Sequence, residues 1–317
     1  MKERSEKISV VGSGLMGRGI AQSIASAGYE VAIVDLEQKI LDGALKQMKS
    51  SLDQLVEAGV VEDADEIIDR ITMATDLAAG VRGSSLVIEA IYENPAAKRE
   101  VFHRIEKAVD AQTIISSNTS SIPIATISEG AKHPERILGT HFWNPPQLMP
   151  AVEVVRGEAT TDDVVEKAVK ILRSAGKTPV VVRKDVPGQI AIRILYAMIR
   201  EATWLVENDV ATAEDVDIAI KEALGSRLEI LGPLELADLS GVDLVNNVAK
   251  GLYKSLDSSQ GPQKLIQDMI AKNELGVKTG RGFYDWKNDR NAAETIQMRD
   301  RHLIGILKEK QSTDSKE

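Results

Sequence analysis

A glycine-rich segment between a strand pattern and a helical pattern constrains the fold of this chain more than any other feature. Residues 8–11 (ISVV) form a short apolar run, residues 12–17 read GSGLMG, and residues 20–27 carry apolar side chains at helical spacing. Glycine is common, so G-x-G-x-x-G alone is a weak signal, but a strand before it and a helix after it supply the required context. In that context the glycines allow a tight turn, close approach of a pyrophosphate and packing of helix on strand. The predicted dinucleotide-binding residues of this segment are Gly12, Gly14, Leu15, Met16 and Gly17.

An aspartate at the end of the second predicted strand indicates which dinucleotide binds. Asp35 follows the run at 31–34 and lies 18 residues after Gly17. A carboxylate in this position accepts hydrogen bonds from the ribose hydroxyls and repels a 2′-phosphate. Leu36 follows it and offers no positive charge, although Lys39 is near in sequence. We therefore predict NAD rather than NADP; the alternative is a glycine-rich turn followed by an incidental aspartate.

The order of strand and helix patterns predicts two domains, in line with a length of 317 residues. Eight short apolar runs are predicted strands, at 8–11, 31–34, 71–74, 86–90, 113–116, 137–140, 152–155 and 179–182. They alternate with helical patterns such as 38–58 and 161–175, which is typical of an α/β fold with βαβ units. After the segment DVPG at 185–188 only helical patterns follow. We predict a Rossmann-like, doubly wound, mainly parallel sheet in residues 1–186 and an all-α domain in residues 187–317.

Composition excludes several classes of protein and predicts a location. The net charge of −9 and an aromatic content of 3% argue against a nucleic-acid partner. With no cysteine, the chain has no disulfide, thiolate nucleophile or thiolate metal site, and we predict no metal site. No signal-peptide pattern and no apolar stretch of membrane-spanning length is present. The prediction is a cytoplasmic protein with a small-molecule substrate and no membrane partner.

One histidine and one glutamate stand out as candidates for acid–base chemistry. His141 ends a predicted strand, and Glu153 lies within the apolar strand pattern 152–155. A buried, unpaired carboxylate is costly, so Glu153 is expected to have a partner. A histidine can take the proton of a secondary alcohol during hydride transfer, and a carboxylate on its other ring nitrogen would stabilise the charged ring. The alternative is a structural histidine at a strand end.

These motifs, taken in order, resemble the L-3-hydroxyacyl-CoA dehydrogenases. The similar segments are 117–121 (SNTSS), His141-x-x-Asn144-Pro145, 152–154 (VEV) and 278–284 (KTGRGFY), and the resemblance runs from Ile8 to about Trp286. It implies a dehydrogenase in which His141 is the catalytic base and Glu153 is its partner. It also implies that Ser120 binds the substrate oxygen and the nicotinamide side, and that Asn144 holds cofactor and substrate.

The resemblance extends to further residues and to assembly. Glu93 and Lys98 match family positions that line the cofactor, and Lys278 matches a lysine that reaches the cofactor from the C-terminal domain. Ser51 matches a serine that contacts coenzyme A. The family further implies that the helical domain closes over the substrate and forms a homodimer.

Three departures from the family pattern bear on the substrate, together with the triplet 144–146 (NPP). Ile192 replaces an asparagine of the active site, Ala58 replaces a lysine that contacts coenzyme A, and residues 225–233 (GSRLEILGP) replace the family's usual segment. Lys46 or Lys49 could compensate for the missing lysine. These features are similar to a sister branch that acts on free hydroxy acids, such as L-gulonate 3-dehydrogenase (lambda-crystallin-like) and carnitine 3-dehydrogenase.

We predict NAD-dependent oxidation of a short L-3-hydroxyacyl-CoA, for example 3-hydroxybutyryl-CoA, within fatty acid metabolism. A methyl-ended acyl chain tolerates Ile192 better than a polyol does, since stranded hydroxyls cost about 1–3 kcal/mol each. The alternatives are a dehydrogenase of a free 3-hydroxy acid and a non-catalytic, crystallin-like NAD-binding protein. Retention of Ser120, His141, Asn144 and Glu153 opposes the non-catalytic alternative.

Overall fold

An eight-stranded sheet forms the centre of the computed structural model, which describes residues 4–314. Its strands are β1 (Arg4–Val11), β2 (Tyr29–Val34), β3 (Ile71–Ala74), β4 (Ser84–Glu89), β5 (Ile114–Ser117), β6 (Ile137–Phe142), β7 (Ala151–Arg156) and β8 (Thr178–Val182). The spatial order is β3-β2-β1-β4-β5-β6-β7-β8. Each of the eight predicted strands overlaps an observed one, which confirms the α/β prediction.

The sheet is parallel except where β6 and β7 pair antiparallel. From β1 the chain winds outward through β2 and β3, then returns to place β4 on the other side of β1. The order therefore reverses between β1 and β4. In open α/β sheets, ligands bind beyond the carboxyl ends of the strands at such a reversal.

Helices cover both faces of this sheet and enclose two apolar clusters. They are α1 (Leu15–Ser26), α2 (Gln38–Glu57), α3 (Ala64–Asp69), α4 (Leu77–Val81), α5 (Pro95–Ala108), α6 (Ile124–Ile127) and α7 (Asp162–Ser174). The larger cluster includes Ile20 and Ile24 of α1, Leu52 of α2 and Ile8 of β1, all excluded from solvent. The sheet is thus sandwiched between helices and has its own core.

The remaining helices follow the last strand. They are α8 (Ala191–Glu207), α9 (Ala213–Ala219), α10 (Ser226–Leu228), α11 (Pro233–Ser240), α12 (Val242–Leu252), α13 (Lys264–Ala271) and α14 (Ala292–Asp314). A π-helical turn, Ile220–Gly225, joins α9 to α10. The part after the sheet is helical, as the sequence predicts.

Contacts between residues divide the chain into two compact units, and the division differs from the predicted boundary. The first unit runs to Ile192 and resumes at Met298 within α14; the second is Arg193–Gln297. The sequence pattern predicts a helical domain over the whole of 187–317. The end of the chain groups with the sheet instead, because Leu303, Ile304 and Leu307 of α14 pack against the first unit's core.

No helix within residues 4–314 combines the length and apolar composition that crossing a membrane requires.

Candidate active site

The glycine loop between β1 and α1 has the shape that a bound pyrophosphate needs. Gly12 has a φ of +102°, and a Cβ there would lie 2.7 Å from the carbonyl oxygen of Ala90. A Cβ on Gly17 would lie 1.8 Å from the carbonyl oxygen of Gly12, so both positions require glycine. Gly14, by contrast, faces open space with nothing within 4 Å. No side chain caps the N-terminus of α1, which leaves its backbone N–H groups available to phosphate.

Asp35 lies beside the glycine loop at the end of β2. Its Oδ2 accepts hydrogen bonds from the backbone N–H and hydroxyl of Ser13, at 2.7 and 2.6 Å. Its Oδ1 accepts from the backbone N–H of Leu36 at 2.8 Å. The carboxylate is thereby held at the edge of the glycine loop.

His141 and Glu153 face each other across the antiparallel pair β6–β7. They are direct partners in the strand register, and His141 Nδ1 lies 2.8 Å from Glu153 Oε2. Both side chains are buried. With Nδ1–H donating to the carboxylate, Nε2 of the neutral ring is the unprotonated nitrogen. Among the described residues no hydrogen-bond partner of Nε2 is seen, so this nitrogen is available to accept a proton.

The second oxygen of Glu153 is held by the start of the helix that follows the sheet. Oε1 accepts hydrogen bonds from the backbone N–H groups of Ile190 and Ala191, both at 3.0 Å. Burial alone raises the pKa of Glu153, but the hydrogen bonds from His141 and from these N–H groups outweigh burial and lower the pKa below its ordinary value. Glu153 is therefore a carboxylate fixed from both sides, and it holds the imidazole in one orientation.

A buried charged network lies at the carboxyl ends of β4 and β5. Lys98 is 1% exposed, and its amine donates to Glu89 at 2.8 Å and to the carbonyl oxygen of Ile91 at 3.3 Å. It also lies 3.3 Å from Glu93 Oε2. Ser117 donates to the other oxygen of Glu89 at 2.6 Å. With three acceptors around its amine, Lys98 is placed to position Glu93 rather than to reach a ligand itself.

Glu93 is the part of this network that solvent reaches. Thr119 and Ser121 donate hydroxyl hydrogen bonds to its Oε1, at 2.5 and 3.0 Å. Burial by itself raises the pKa of Glu93, but the hydrogen bond from Thr119 and the charge of Lys98 outweigh it, so the pKa is lowered. Glu93 thus links the loop after β4 to the SNTSS segment after β5.

The other predicted site residues lie in different parts of the chain. Ser120 follows β5 and Asn144 follows β6, so both lie in loops at the same edge of the sheet. Ser51 is on α2, where its hydroxyl accepts a hydrogen bond from Gln22 Nε2 at 3.1 Å. Lys278 is an exposed residue of the second unit. The predicted site residues other than Lys278 all lie in the first unit.

Sequence reasoning missed a lysine that anchors the loop after His141. Lys177 is buried, and its amine donates to the carbonyl oxygens of Pro146 and Met149 at 2.6 and 3.0 Å. Burial lowers the pKa of Lys177 to about 8. The residue precedes β8 in an otherwise ordinary helix–strand connection, so nothing local in the sequence signals its role.

Comparison with known proteins places both domains of this chain in one family. The model of the 3-hydroxyacyl-CoA dehydrogenase NAD binding domain matches residues 7–186, and the model of the corresponding C-terminal domain matches residues 188–286. A probable 3-hydroxybutyryl-CoA dehydrogenase of Bacillus subtilis is 37% identical over 285 residues, covering 89% of this chain and 98% of the relative.

A second kind of relative matches over a longer stretch. A 5-formyl-3-hydroxy-2-methylpyridine 4-carboxylate 5-dehydrogenase of Mesorhizobium japonicum is 31% identical over 299 residues, covering 94% of this chain and 96% of the relative. The crystal structure of such an enzyme, described as an NAD+-dependent dismutase, has a TM-score of 0.87 over 96% of this chain and 99% of that one. The (S)-3-hydroxybutyryl-CoA dehydrogenase of Ralstonia eutropha, 34% identical, has a TM-score of 0.74 over 89% of this chain and 99% of that one.

The glycine loop with its open Gly14 and the family models over both domains lead to the same conclusion. This chain belongs to the 3-hydroxyacyl-CoA dehydrogenase family and is an NAD-dependent oxidoreductase of that type.

Proposed function

We propose that this protein oxidises a hydroxyl group of a small substrate, with His141 as the base. The observation that supports this most strongly is the buried His141–Glu153 pair, in which one ring nitrogen is tied to a carboxylate and the other is available. NAD, when bound beside the glycine loop, supplies the acceptor for the hydride. The chain itself takes the hydroxyl proton at His141 Nε2, and the charge of Glu153 stabilises the imidazolium that results.

The remaining polar residues of the site have positioning roles in this proposal. Ser120 and Asn144 lie in the loops that follow β5 and β6, beside the strand that carries His141. Their side chains have no hydrogen-bond partner among the described residues, which leaves them available to substrate and cofactor. Ser120 would donate to the substrate oxygen while His141 removes its proton.

For the substrate, we propose a small hydroxy acid with a free carboxylate rather than a coenzyme A thioester. Residues 38–69, which form α2, α3 and their connection, carry eight carboxylates and only three lysines. Lys49, one possible substitute for the lysine missing at Ala58, is engaged with Asp53 at 3.1 Å and Asp65 at 2.6 Å. We call residues 38–69 the acidic arm. Its net negative charge repels the phosphates of coenzyme A more than its lysines attract them.

The comparisons support both candidate substrates. The pyridine carboxylate dehydrogenase, named for a substrate with a free carboxylate, has the TM-score of 0.87. The second candidate, a short L-3-hydroxyacyl-CoA, is favoured by the family models and by the Bacillus subtilis relative. Ile192 also suits an apolar acyl chain. The net negative charge of the acidic arm decides our preference for the free hydroxy acid.

A panel of substrates tests the proposal. NAD reduction is measured with free 2- and 3-hydroxy acids, aromatic hydroxymethyl carboxylates and the coenzyme A thioesters of the same 3-hydroxy acids. We expect a higher kcat/KM for a free acid than for its thioester. Turnover confined to thioesters would overturn the proposed substrate class and leave the proposal that His141 is the base intact. Full turnover by His141→Gln would overturn the assignment of His141 as the base.

We also propose that a second copy of this chain covers the second unit. Among the described residues of 193–297 only Thr203 and Val216 are buried, and large apolar side chains of α12 such as Leu244 and Val248 are about half exposed. Exposed apolar surface on this scale is typical of an interface. A homodimer, as the family resemblance implies, would bury it. Mass measurement in solution tests this, and a monomer at micromolar concentration would contradict it.

A further inference from the structure

A small polar recess lies between α1 and α2, apart from the catalytic pair. On α1 its lining residues recur at spacings of three and four, so they share one face of the helix. Its volume is about 210 Å³, and it is lined by Leu15, Arg18, Gly19, Gln22, Gln47, Met48, Ser50, Ser51 and Gln147. None of these residues is acidic. The recess is smaller than a pocket for a whole drug-sized ligand, so it would hold an end group of one.

Arg18 is the single cation that lines the recess, and it has no counter-charge. Among the described residues no side chain or carbonyl accepts a hydrogen bond from its guanidinium, and no carboxylate lies within ion-pair distance. Lys49 on the neighbouring helix is, by contrast, paired with two aspartates. A guanidinium has five N–H donors in a planar fork that fits a carboxylate or phosphate. Its neighbours Gln22 and Ser51 are uncharged and joined to each other by a hydrogen bond.

The recess adjoins the loop that follows the catalytic histidine. A Cβ added to Gly19 would lie 2.7 Å from Gln147 Oε1 and 3.0 Å from Pro146 Cδ, so α1 and this loop are in direct contact. Lys177 anchors the same loop through the carbonyl oxygen of Pro146. The loop that follows β6, the strand of His141, therefore contacts α1 at Gly19, beside Arg18, and its Gln147 lines the recess.

We propose that this recess binds an oxyanion group of the substrate, a carboxylate or a phosphate, with Arg18 as its charged partner. The inference rests on the proposed function, since it assigns a site to one end of the molecule that His141 oxidises. A carboxylate would belong to a free hydroxy acid, and a phosphate would belong to coenzyme A. Ser51, which the family resemblance implies in contact with coenzyme A, would contribute its hydroxyl to whichever group binds.

Arg18→Met tests the site, with Arg18→Lys as the conservative variant. Loss of a charge-assisted hydrogen-bonded pair should raise KM for the anionic substrate about 10- to 100-fold, and kcat should change less. Lysine keeps the charge without the fork, so it should restore part of the loss. Arg104→Met is the matched control, because Arg104 is an exposed arginine of α5 that lines no part of the recess. Its KM should equal that of the wild type.

Neutral substrates identify the source of the anion. If Arg18 binds a carboxylate, the effect of Arg18→Met disappears with the methyl ester of the hydroxy acid. If it binds a phosphate of coenzyme A, the effect disappears with the N-acetylcysteamine thioester, which has no phosphate. An equal effect on neutral and anionic substrates, or no effect on either, would overturn the proposal. So would a rise in the Kd for NAD with KM for the substrate unchanged, because Arg18 would then serve the cofactor.

Direct binding separates this inference from the proposed function. If no compound of the panel is oxidised, calorimetric titration with inorganic phosphate and with acetate still compares wild type and Arg18→Met. Binding to the wild type that is lost in the variant would support the recess even though the substrate proposal had failed. Equal binding to both proteins, or binding to neither, would overturn the recess.

Discussion

The two units of this protein differ in how they bury apolar side chains. The first unit encloses two clusters on the faces of its sheet, with residues such as Ile8 and Leu52 excluded from solvent. Within the described residues of the second unit, Thr203 and Val216 alone are buried, whereas Leu234 is 81% exposed. Both are rich in apolar residues, so composition does not explain the difference. The first unit encloses its own core, and the second leaves most of its apolar side chains exposed.

The chemistry is distributed just as unequally. His141, Glu153 and the Glu89–Lys98–Glu93 network all lie in the first unit, on strands, in the loop after β4 or on α5. The second unit contains one predicted cofactor-binding residue, Lys278. A rigid sheet can hold acid–base groups in place, and we proposed above that the exposed apolar side chains of the helical unit serve in assembly. The following predictions test this division.

Loss of the base should have the largest effect. His141→Gln should lower kcat by about two to four powers of ten, because a positioned acid–base group is worth that much. The Kd for NAD, the melting temperature and the oligomeric mass should stay near their wild-type values. His302→Gln in α14 is the matched control and should be fully active. Near-normal turnover by His141→Gln would show that His141 is not the base.

Matched leucine truncations compare the two units directly. Leu52→Ala should lower the free energy of unfolding by about 2–5 kcal/mol, since Leu52 is fully buried in the first unit. This loss should not depend on protein concentration. Leu244→Ala should lower the free energy of unfolding by an amount that increases as the protein is diluted. The reason is that, in the proposed dimer, the residues packed against Leu244 belong to the second copy of the chain. Chemical denaturation at several protein concentrations measures both. A negligible effect of Leu244→Ala at every concentration would mean that solvent, not a partner, covers α12.

Because Lys177 of the first unit is buried, we expect the free energy of unfolding to depend on pH. Its pKa is about 8 in the folded protein and 10.5 ordinarily, so below pH 8 both folded and unfolded states carry the charge and burial is unfavourable. Between these values the unfolded state binds more protons, and the free energy of unfolding should rise with pH by about 3 kcal/mol. Glu62, Asp63 and Glu66 are the acidic residues that line the same cavity.

Lys177→Met removes this dependence and provides the comparison. The difference in unfolding free energy between wild type and variant should change between pH 7.5 and 10.5, while other titrating groups cancel. The variant also leaves the carbonyl oxygens of Pro146 and Met149 without their donor, so kcat/KM should fall as the loop loosens. Parallel pH profiles of stability for the two proteins would show that Lys177 does not titrate in this range.

The smallest predicted effect concerns Glu153. Its lowered pKa keeps it ionised at neutral and mildly acidic pH, and the stability it contributes is lost only as pH falls below about 4.5 through the folded pKa. In Glu153→Gln the imidazolium of His141 loses its counter-charge, so the acid limb of log(kcat/KM) should move to lower pH by about one to two units. Steady-state kinetics across pH 5–9 measures the limb. An unmoved limb would mean that Glu153 only orients the ring.

Much of the fold and part of the site could be predicted from local patterns. The strands were predictable because each is a short apolar run bounded by polar or glycine residues, and most of them are followed by a helical pattern. Gly12 and Gly17 were predictable because the turn from β1 to α1 leaves no space for a side chain there. His141 stood out among four histidines because it alone closes a strand. These features depend on neighbours in the sequence, which is why a single chain reveals them.

Tertiary structure decided which distant groups meet. The antiparallel register of β6 and β7 sets His141 opposite Glu153, and the first turn of the helical segment brings two N–H groups to the same carboxylate. The burial of Lys98 and Lys177, the return of α14 to the sheet and the recess at Arg18 have no local signature. The physical reason is that strand order, register and packing determine burial and long-range pairing, and these arise only when the whole chain has folded.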